Sequence, residues 1–130
     1  MAHSIQMLGQ KSAIFSDATL VIIMILARDV ISQHPHYFEL AALSETWRLA
    51  VIQSGPGTID LKIEELIKTP EMKEKFGALL ERLHEEVGRF GEKIPASFLN
   101  ERAPIPNDYT FIDVKVSTIQ EALSKLKNLA

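Results

Sequence analysis

Ten consecutive residues, Ala18-Thr19-Leu20-Val21-Ile22-Ile23-Met24-Ile25-Leu26-Ala27, carry no charge before Arg28 and Asp29 stop the run. Any fold of this chain must surround that segment or cover it with a partner. The run is too short to span a bilayer, which takes about 20 apolar residues. It does not read as a signal peptide either, because Met1 to Asp17 is polar and mixed, with Lys11 its only basic residue. The expectation is a soluble, unexported, cytoplasmic chain. Val21, Ile22, Ile23 and Ile25 are β-branched and would suit a buried strand. The run's length and its continuation through Val30 and Ile31 instead predict a central helix, capped by Ser16 or Asp17 and reaching about Gln33.

A chain of 130 residues supports one core, so residues 1–130 are expected to form a single globular domain. With 46% hydrophobic residues and a net charge of -3, disorder is excluded. The absence of cysteine removes disulfides, thiolate catalysis and cysteine-ligated metal centres, and leaves His, Asp and Glu as the available metal ligands. It is compatible with a reducing compartment.

Around the central helix the punctuation is regular. Ser4–Leu8 and Lys11–Phe15 flank Gly9-Gln10, a pair suited to a two-residue hairpin turn, although the alternation is imperfect. His34-Pro35 breaks the first helix, and Pro35 suits the first turn of a second helix running to about Gln53. Its inner face is expected to hold Tyr37, Leu40, Ala41, Trp47 and Val51. Ser54-Gly55-Pro56-Gly57 is a turn, after which Asp60 is expected to cap a short helix, Leu61 to Lys68, with Ile63, Leu66 and Ile67 inward. Thr69-Pro70-Glu71 opens the strongest helical pattern, about Pro70 to Phe90. There Met72, Phe76, Leu79, Leu80, Leu83, Val87 and Phe90 form one stripe, and Gly91 ends it.

Ile94 to Asn100 predicts one more helical turn, and Ala103 to Asp108, with two prolines, an extended loop. Tyr109 to Val116 has strand composition, with Ile112, Val114 and Val116 on one face. Its partner would be the N-terminal hairpin or Thr58–Ile63. Ser117-Thr118-Ile119-Gln120 fits a capping box before a last helix striped by Ile119, Leu123, Leu126 and Leu129. The expected fold is α+β and mainly helical, about five helices packed with a small two- or three-stranded sheet.

Motifs for catalysis are scarce. Glu81-x-x-His84 is half of a di-iron ligand pair whose other half is missing, and the position four after His84 is Gly88, which cannot complete a zinc-protease helix. His34, His36 and His84 with nearby carboxylates could clip a metal only if folding gathered them, and solvated imidazoles at a helix boundary are the plainer reading. There is no Gly-x-Ser-x-Gly elbow. Ser54-Gly55-Pro56-Gly57-Thr58 lacks the Gly-Lys-Ser/Thr ending of a phosphate loop. No metal and no cofactor are expected.

Charge is concentrated in residues 58–102, with eight basic and ten acidic side chains, and 14 Lys and Arg against 17 Asp and Glu give no general attraction to nucleic acid or membranes. Glu64–Lys68, Glu71–Lys75, Arg82–Glu86 and Glu85–Arg89 are four-residue pairs of a solvated helix face. Glu74, Glu81 and Glu85 line one side of the long helix, and an acidic stripe there can meet a basic partner. The resulting expectation is a non-catalytic protein-binding domain. Its most specific form is an immunity- or antitoxin-type inhibitor that covers the active site of a basic toxin domain, with Glu74, Glu81 and Glu85 in contact. The alternatives are a metal-dependent enzyme built on His34, His36 and His84, and a homo-oligomer that buries segment 18–31.

Overall fold

The computed structural model describes residues 2–103 and 111–129. Among them the fold is α+β and mainly helical. A hairpin of β1 (His3–Leu8) and β2 (Lys11–Ser16) leads into α1 (Asp17–Gln33). A 3-10 turn (Pro35–Leu40) precedes α2 (Ala41–Gln53). The single turn α3 (Ile63–Leu66) and the long α4 (Pro70–Gly88) come next. The chain then forms β3 (Lys93–Ile94), α5 (Ala96–Glu101), β4 (Val114–Lys115) and α6 (Val116–Leu129). No helix among the described residues is long and apolar enough to cross a membrane.

Helix α1 is the centre. Ser16 caps it by accepting a hydrogen bond from the Thr19 amide at 3.1 Å, and Leu20 through Ala27, eight residues in succession, are all buried. A helix has no single inward face when every turn is covered, and α1 is packed by α2, α4, α6 and the 3-10 turn together. Most of segment 18–31 is therefore covered by its own chain, with Ala18 and Arg28 left exposed.

The second helix begins differently from the expectation. Pro35 opens a 3-10 turn with three residues per turn, and that change of pitch moves the phase of α2. Ala41 is exposed, and Leu43 joins Tyr37, Leu40, Trp47 and Val51 inside. Trp47 ties three segments together. Its indole N–H donates to the Leu61 carbonyl at 2.8 Å, and its ring meets Phe76 of α4 edge-on with centroids 6.0 Å apart. Thr69 caps α4 through the Met72 amide, as its sequence implies, and the stripe Phe76, Leu79, Leu80, Leu83, Val87 is buried. Gly88 sits where α6 approaches α4 closely. A Cβ there would lie 3.3 Å from the Gln120 amide nitrogen.

Three sequence expectations shift for local reasons. The short helix expected over Leu61 to Lys68 shrinks to Ile63–Leu66, because Ile59 and Leu61 hold their backbone extended to bond the hairpin and Lys62 turns into the left-handed region (φ 53°). Asp60 still caps locally, accepting from the Lys62 amide at 2.8 Å. The strand expected over Tyr109 to Val116 is two residues long among those described. It pairs Ile94↔Val114 and Lys93↔Lys115 antiparallel, not with the hairpin or Thr58–Ile63, so the described residues form two separate two-stranded sheets. Tyr109, Thr110 and the loop prolines Pro104 and Pro106 lie outside the described residues. Asp113, just before β4, accepts from the Ala96 amide at 2.8 Å and caps α5, which Pro95 leaves without a side-chain cap. Finally, α6 starts at Val116, ahead of the expected capping box. Gln120 donates instead to the His84 carbonyl at 3.3 Å.

Truncating Ile23, fully buried at the middle of α1, is expected to cost about 2–5 kcal/mol. Urea unfolding of Ile23→Ala checks this, and a loss below about 1 kcal/mol would contradict the enclosed position of α1.

Candidate functional site

The N-terminal hairpin buries polar Ser4 and Gln6 beside Phe15 and turns Ile5, Met7 and Ile14 outward. Gly9 adopts φ +62° in the two-residue turn, and the register runs His3↔Ser16, Ile5↔Ile14, Met7↔Ser12 on one face and Ser4↔Phe15, Gln6↔Ala13, Leu8↔Lys11 on the other. Hydropathy does not choose between the faces, since one carries Ile5, Met7 and Ile14 and the other Leu8, Ala13 and Phe15. Ile5, Met7 and Ile14 are 60%, 57% and 53% exposed, while Phe15 is 3% and Ser4 and Gln6 are each 1% exposed.

The buried polar side chains explain the choice of face. The Gln6 amide works like a backbone peptide, donating to the Ile59 carbonyl at 2.7 Å and accepting from the Leu61 amide at 2.9 Å. The Ser4 hydroxyl accepts from the Ile59 amide at 3.0 Å and donates to Asp17 at 2.6 Å. The second oxygen of Asp17 receives the Gly57 amide at 2.8 Å. A hairpin thus fastens the 57–61 segment through side chains, where a sheet would use a third strand. Among the described residues no buried side-chain nitrogen or oxygen lacks a partner.

Magnitudes favour this arrangement. Turning the hairpin over would orphan the Ile59 N–H, the Ile59 carbonyl and the Leu61 N–H, at about 1–3 kcal/mol each. Burying what remains exposed of three apolar side chains would return roughly 1–2 kcal/mol each. The same turn would lift Phe15, 3% exposed, and part-buried Leu8 and Ala13 out of the core, so the apolar exchange is close to even, the polar fastening decides it, and Ile5, Ile14 and Met7 stay on the surface as one cluster.

The hairpin's two edges also differ. A two-residue turn makes Leu8↔Lys11 a hydrogen-bonded pair, so even-numbered residues of β1 bond to β2 while Ile5 and Met7 direct their N–H and carbonyl groups away from it. The Asp17 amide donating to the Ala2 carbonyl at 3.0 Å continues that pattern. No other described residue bonds the outward backbone groups of Ile5 and Met7. The β2 edge is occupied by α6. There the Lys125 ammonium donates to the Ile14 carbonyl at 2.5 Å and lies 4.5 Å from the Phe15 ring centroid, and Lys11 donates to the Asn128 carbonyl at 3.4 Å. Residues 1–16 hold no Asp or Glu, and Lys11 is their only Lys or Arg. Edge strands that must stay alone usually carry charge or proline; β1 has no Asp, Glu, Lys, Arg or Pro.

Glu74, Glu81 and Glu85 are all exposed on α4. They are not equivalent. Lys127 of α6 forms an ion pair with Glu81, and that hydrogen bond, reinforced by the lysine's charge, holds the Glu81 carboxyl below the ordinary carboxylate range. Glu74 and Glu85 make no ion pair among the described residues. Of the four helical pairs read from spacing, only Arg82–Glu86 forms, at 2.9 Å. Lys75 reaches Glu39 of the 3-10 turn at 2.8 Å, Arg89 turns to Glu86 at 3.5 Å, and Glu64 accepts the Gly9 amide at 2.9 Å. For Lys75 and Glu64 a tertiary neighbour replaces the within-helix partner, which is worth only a few tenths of a kcal/mol.

The histidines stay apart. His34 follows α1 with its ring 3.4 Å from an Arg82 nitrogen, His36 stacks edge-on with Tyr37, and His84 stands exposed on α4. Among the described residues no three His, Asp or Glu side chains gather as a metal-ligand group. The sequence reading missed the orientation of the hairpin. The only signal for it was the alternation of Ser4 and Gln6 with Ile5 and Met7, which is the same whichever face points inward. No family model, curated protein or solved structure matches the chain.

Gln6→Leu, which raises hydrophobicity at a buried position, is expected to destabilise by about 2–4 kcal/mol because two backbone groups lose their partners. Ile5→Thr, which lowers hydrophobicity one residue away, is expected to change stability by no more than about 0.5 kcal/mol. Denaturant midpoints of the two variants decide it, and the reverse order would show that the hairpin faces the other way.

Proposed function

We propose that this chain is a non-catalytic protein-binding domain whose docking surface centres on the outer face of the β1–β2 hairpin. The observation that carries the reading is the clustering of Ile5, Met7 and Ile14 on the surface beside a strand edge whose backbone groups point outward. Exposed apolar clusters of this kind mark interaction sites, and the outward backbone groups of Ile5 and Met7, unbonded among the described residues, are of the kind that accept a further strand. Binding needs anchors in a shaped surface, and three side chains on a fastened hairpin provide them.

The finer reading is an immunity- or antitoxin-type inhibitor, acting in the cytoplasm and laying the acidic side of α4 on a basic toxin domain. Its support is that Glu74 and Glu85 stand exposed without ion pairs among the described residues. Glu81 contributes less, since Lys127 already neutralises it.

A photo-crosslinking residue placed in turn at positions 5, 14, 74 and 85 in the native cell separates these readings. Positions 5 and 14 are expected to give a discrete adduct with another polypeptide, with little at 74 and 85. Adducts confined to 74 and 85 would move the site to the acidic face, and no adduct at any of the four would overturn the protein-binding reading.

A further inference from the structure

The hairpin tip carries a second feature on the side away from its apolar cluster. The register pairs Leu8 with Lys11 on the face opposite Ile5, Met7 and Ile14. Both line an open groove of about 700 Å³, within the usual size of small-molecule sites. Its other apolar lining residues are Ile67, which follows α3, and Leu129, at the end of α6. Lys68, just before α4, and Lys73, near the start of that helix, line the same groove. Both are exposed and form no ion pair among the described residues. The Lys11 ammonium donates to the Asn128 carbonyl at 3.4 Å, an uncharged acceptor that leaves its charge uncompensated. One acid lines the groove, Glu64, which accepts the Gly9 amide at 2.9 Å. Three ammonium groups against one carboxylate leave a surplus of two positive charges there, in a chain whose net charge is -3.

We propose that this groove binds a small soluble phosphate monoester with a short apolar substituent. Its phosphate meets Lys11, Lys68 and Lys73, and its apolar part covers Leu8, Ile67 and Leu129. The inference does not rest on the protein-binding reading, since no groove residue belongs to the outward face of the hairpin. A monoester carries about -1.5 to -2 charges at neutral pH and three strong acceptor oxygens, which matches the surplus of two charges and the three donors. A carboxylate would neutralise only half of that surplus. Lysine binds phosphate as a point charge on a flexible stem, so exposed side chains can close on the ligand without a preformed fork. Nucleic acid and anionic membranes are poorer occupants, because both extend beyond the groove and meet the negative charge of the rest of the chain.

The test titrates the full-length chain, labelled for amide NMR, with hexyl phosphate, hexylammonium and inorganic phosphate. Hexyl phosphate is expected to shift the Leu8, Lys11, Ile67 and Lys73 signals with a Kd below about 1 mM. It is expected to bind about tenfold more tightly than inorganic phosphate, which has no chain to lay on the apolar floor, while hexylammonium leaves those signals in place. Raising salt from about 50 to about 500 mM is expected to weaken it several-fold. The double variant Lys68→Glu, Lys73→Glu is expected to bind at least about tenfold more weakly, whereas Lys93→Glu, a change of the same sign at an exposed lysine outside the groove, stays within about twofold of the unaltered chain. The spectrum reports any loss of fold, and Lys68→Gln, Lys73→Gln then makes the same comparison. Equal binding of hexylammonium, inorganic phosphate as tight as hexyl phosphate, or full affinity in the double variant would each overturn the proposal. So would shifts confined to other residues, or none at about 10 mM ligand. Sedimentation with phosphatidylserine vesicles without a response to hexyl phosphate would also overturn it and identify a lipid surface instead. The protein-binding reading stands or falls separately, on the adducts at positions 5 and 14.

Discussion

Enclosing α1 is the constraint on which the remaining structure depends. Eight successive buried residues, 20–27, leave that stretch of the helix no solvent side, so the chain must build a coat around it from α2, α4, α6 and the 3-10 turn. Fully burying a large aliphatic side chain is worth about 1.5–3 kcal/mol, and no other segment of this sequence concentrates as many. The helices that form the coat are amphipathic, with one buried stripe and one solvated face, as helices at a boundary between core and water must be.

Once the coat is complete, the N-terminal hairpin has a different task. The 57–61 segment joins no sheet among the described residues, and the backbone groups of buried Ile59 and Leu61 need partners. Ser4, Gln6 and Asp17 supply them, and the apolar residues between are turned to the surface. The candidate docking surface is therefore a by-product of satisfying backbone polarity. That origin also holds it in place, because each outward apolar side chain on β1 neighbours an inward polar one held by hydrogen bonds.

Local signals carried much of the fold. The helical reading of residues 18–31, the Ser16 and Thr69 caps, the Gly9 turn and the buried stripe of α4 all depend on neighbours within a few residues, and sequence displays those directly. The features that escaped depended on distant residues. The length of α3 is set by Ser4 and Gln6, 55 positions from the amides they bond, and the partner of β4 is a two-residue strand with no pattern of its own. The face of the hairpin was illegible for a deeper reason: apolar residues fall on both faces, Ile5, Met7 and Ile14 on one and Leu8, Ala13 and Phe15 on the other, and the choice rests on backbone groups of residues 59 and 61 far along the chain. The acidic stripe of α4 was legible as positions, yet the pairing of that helix was not, since Lys127 and Glu39 come from other elements.

The most direct measurement is NMR of the methyl and side-chain amide groups in the presence of a soluble paramagnetic agent, which broadens whatever water reaches. The account predicts strong broadening of the Ile5, Met7 and Ile14 methyls, with the Gln6 amide as protected as the Ile23 methyl. Protected Ile5 and Met7 methyls beside an accessible Gln6 amide would mean that the hairpin faces the other way, and the surface proposed for binding would not exist.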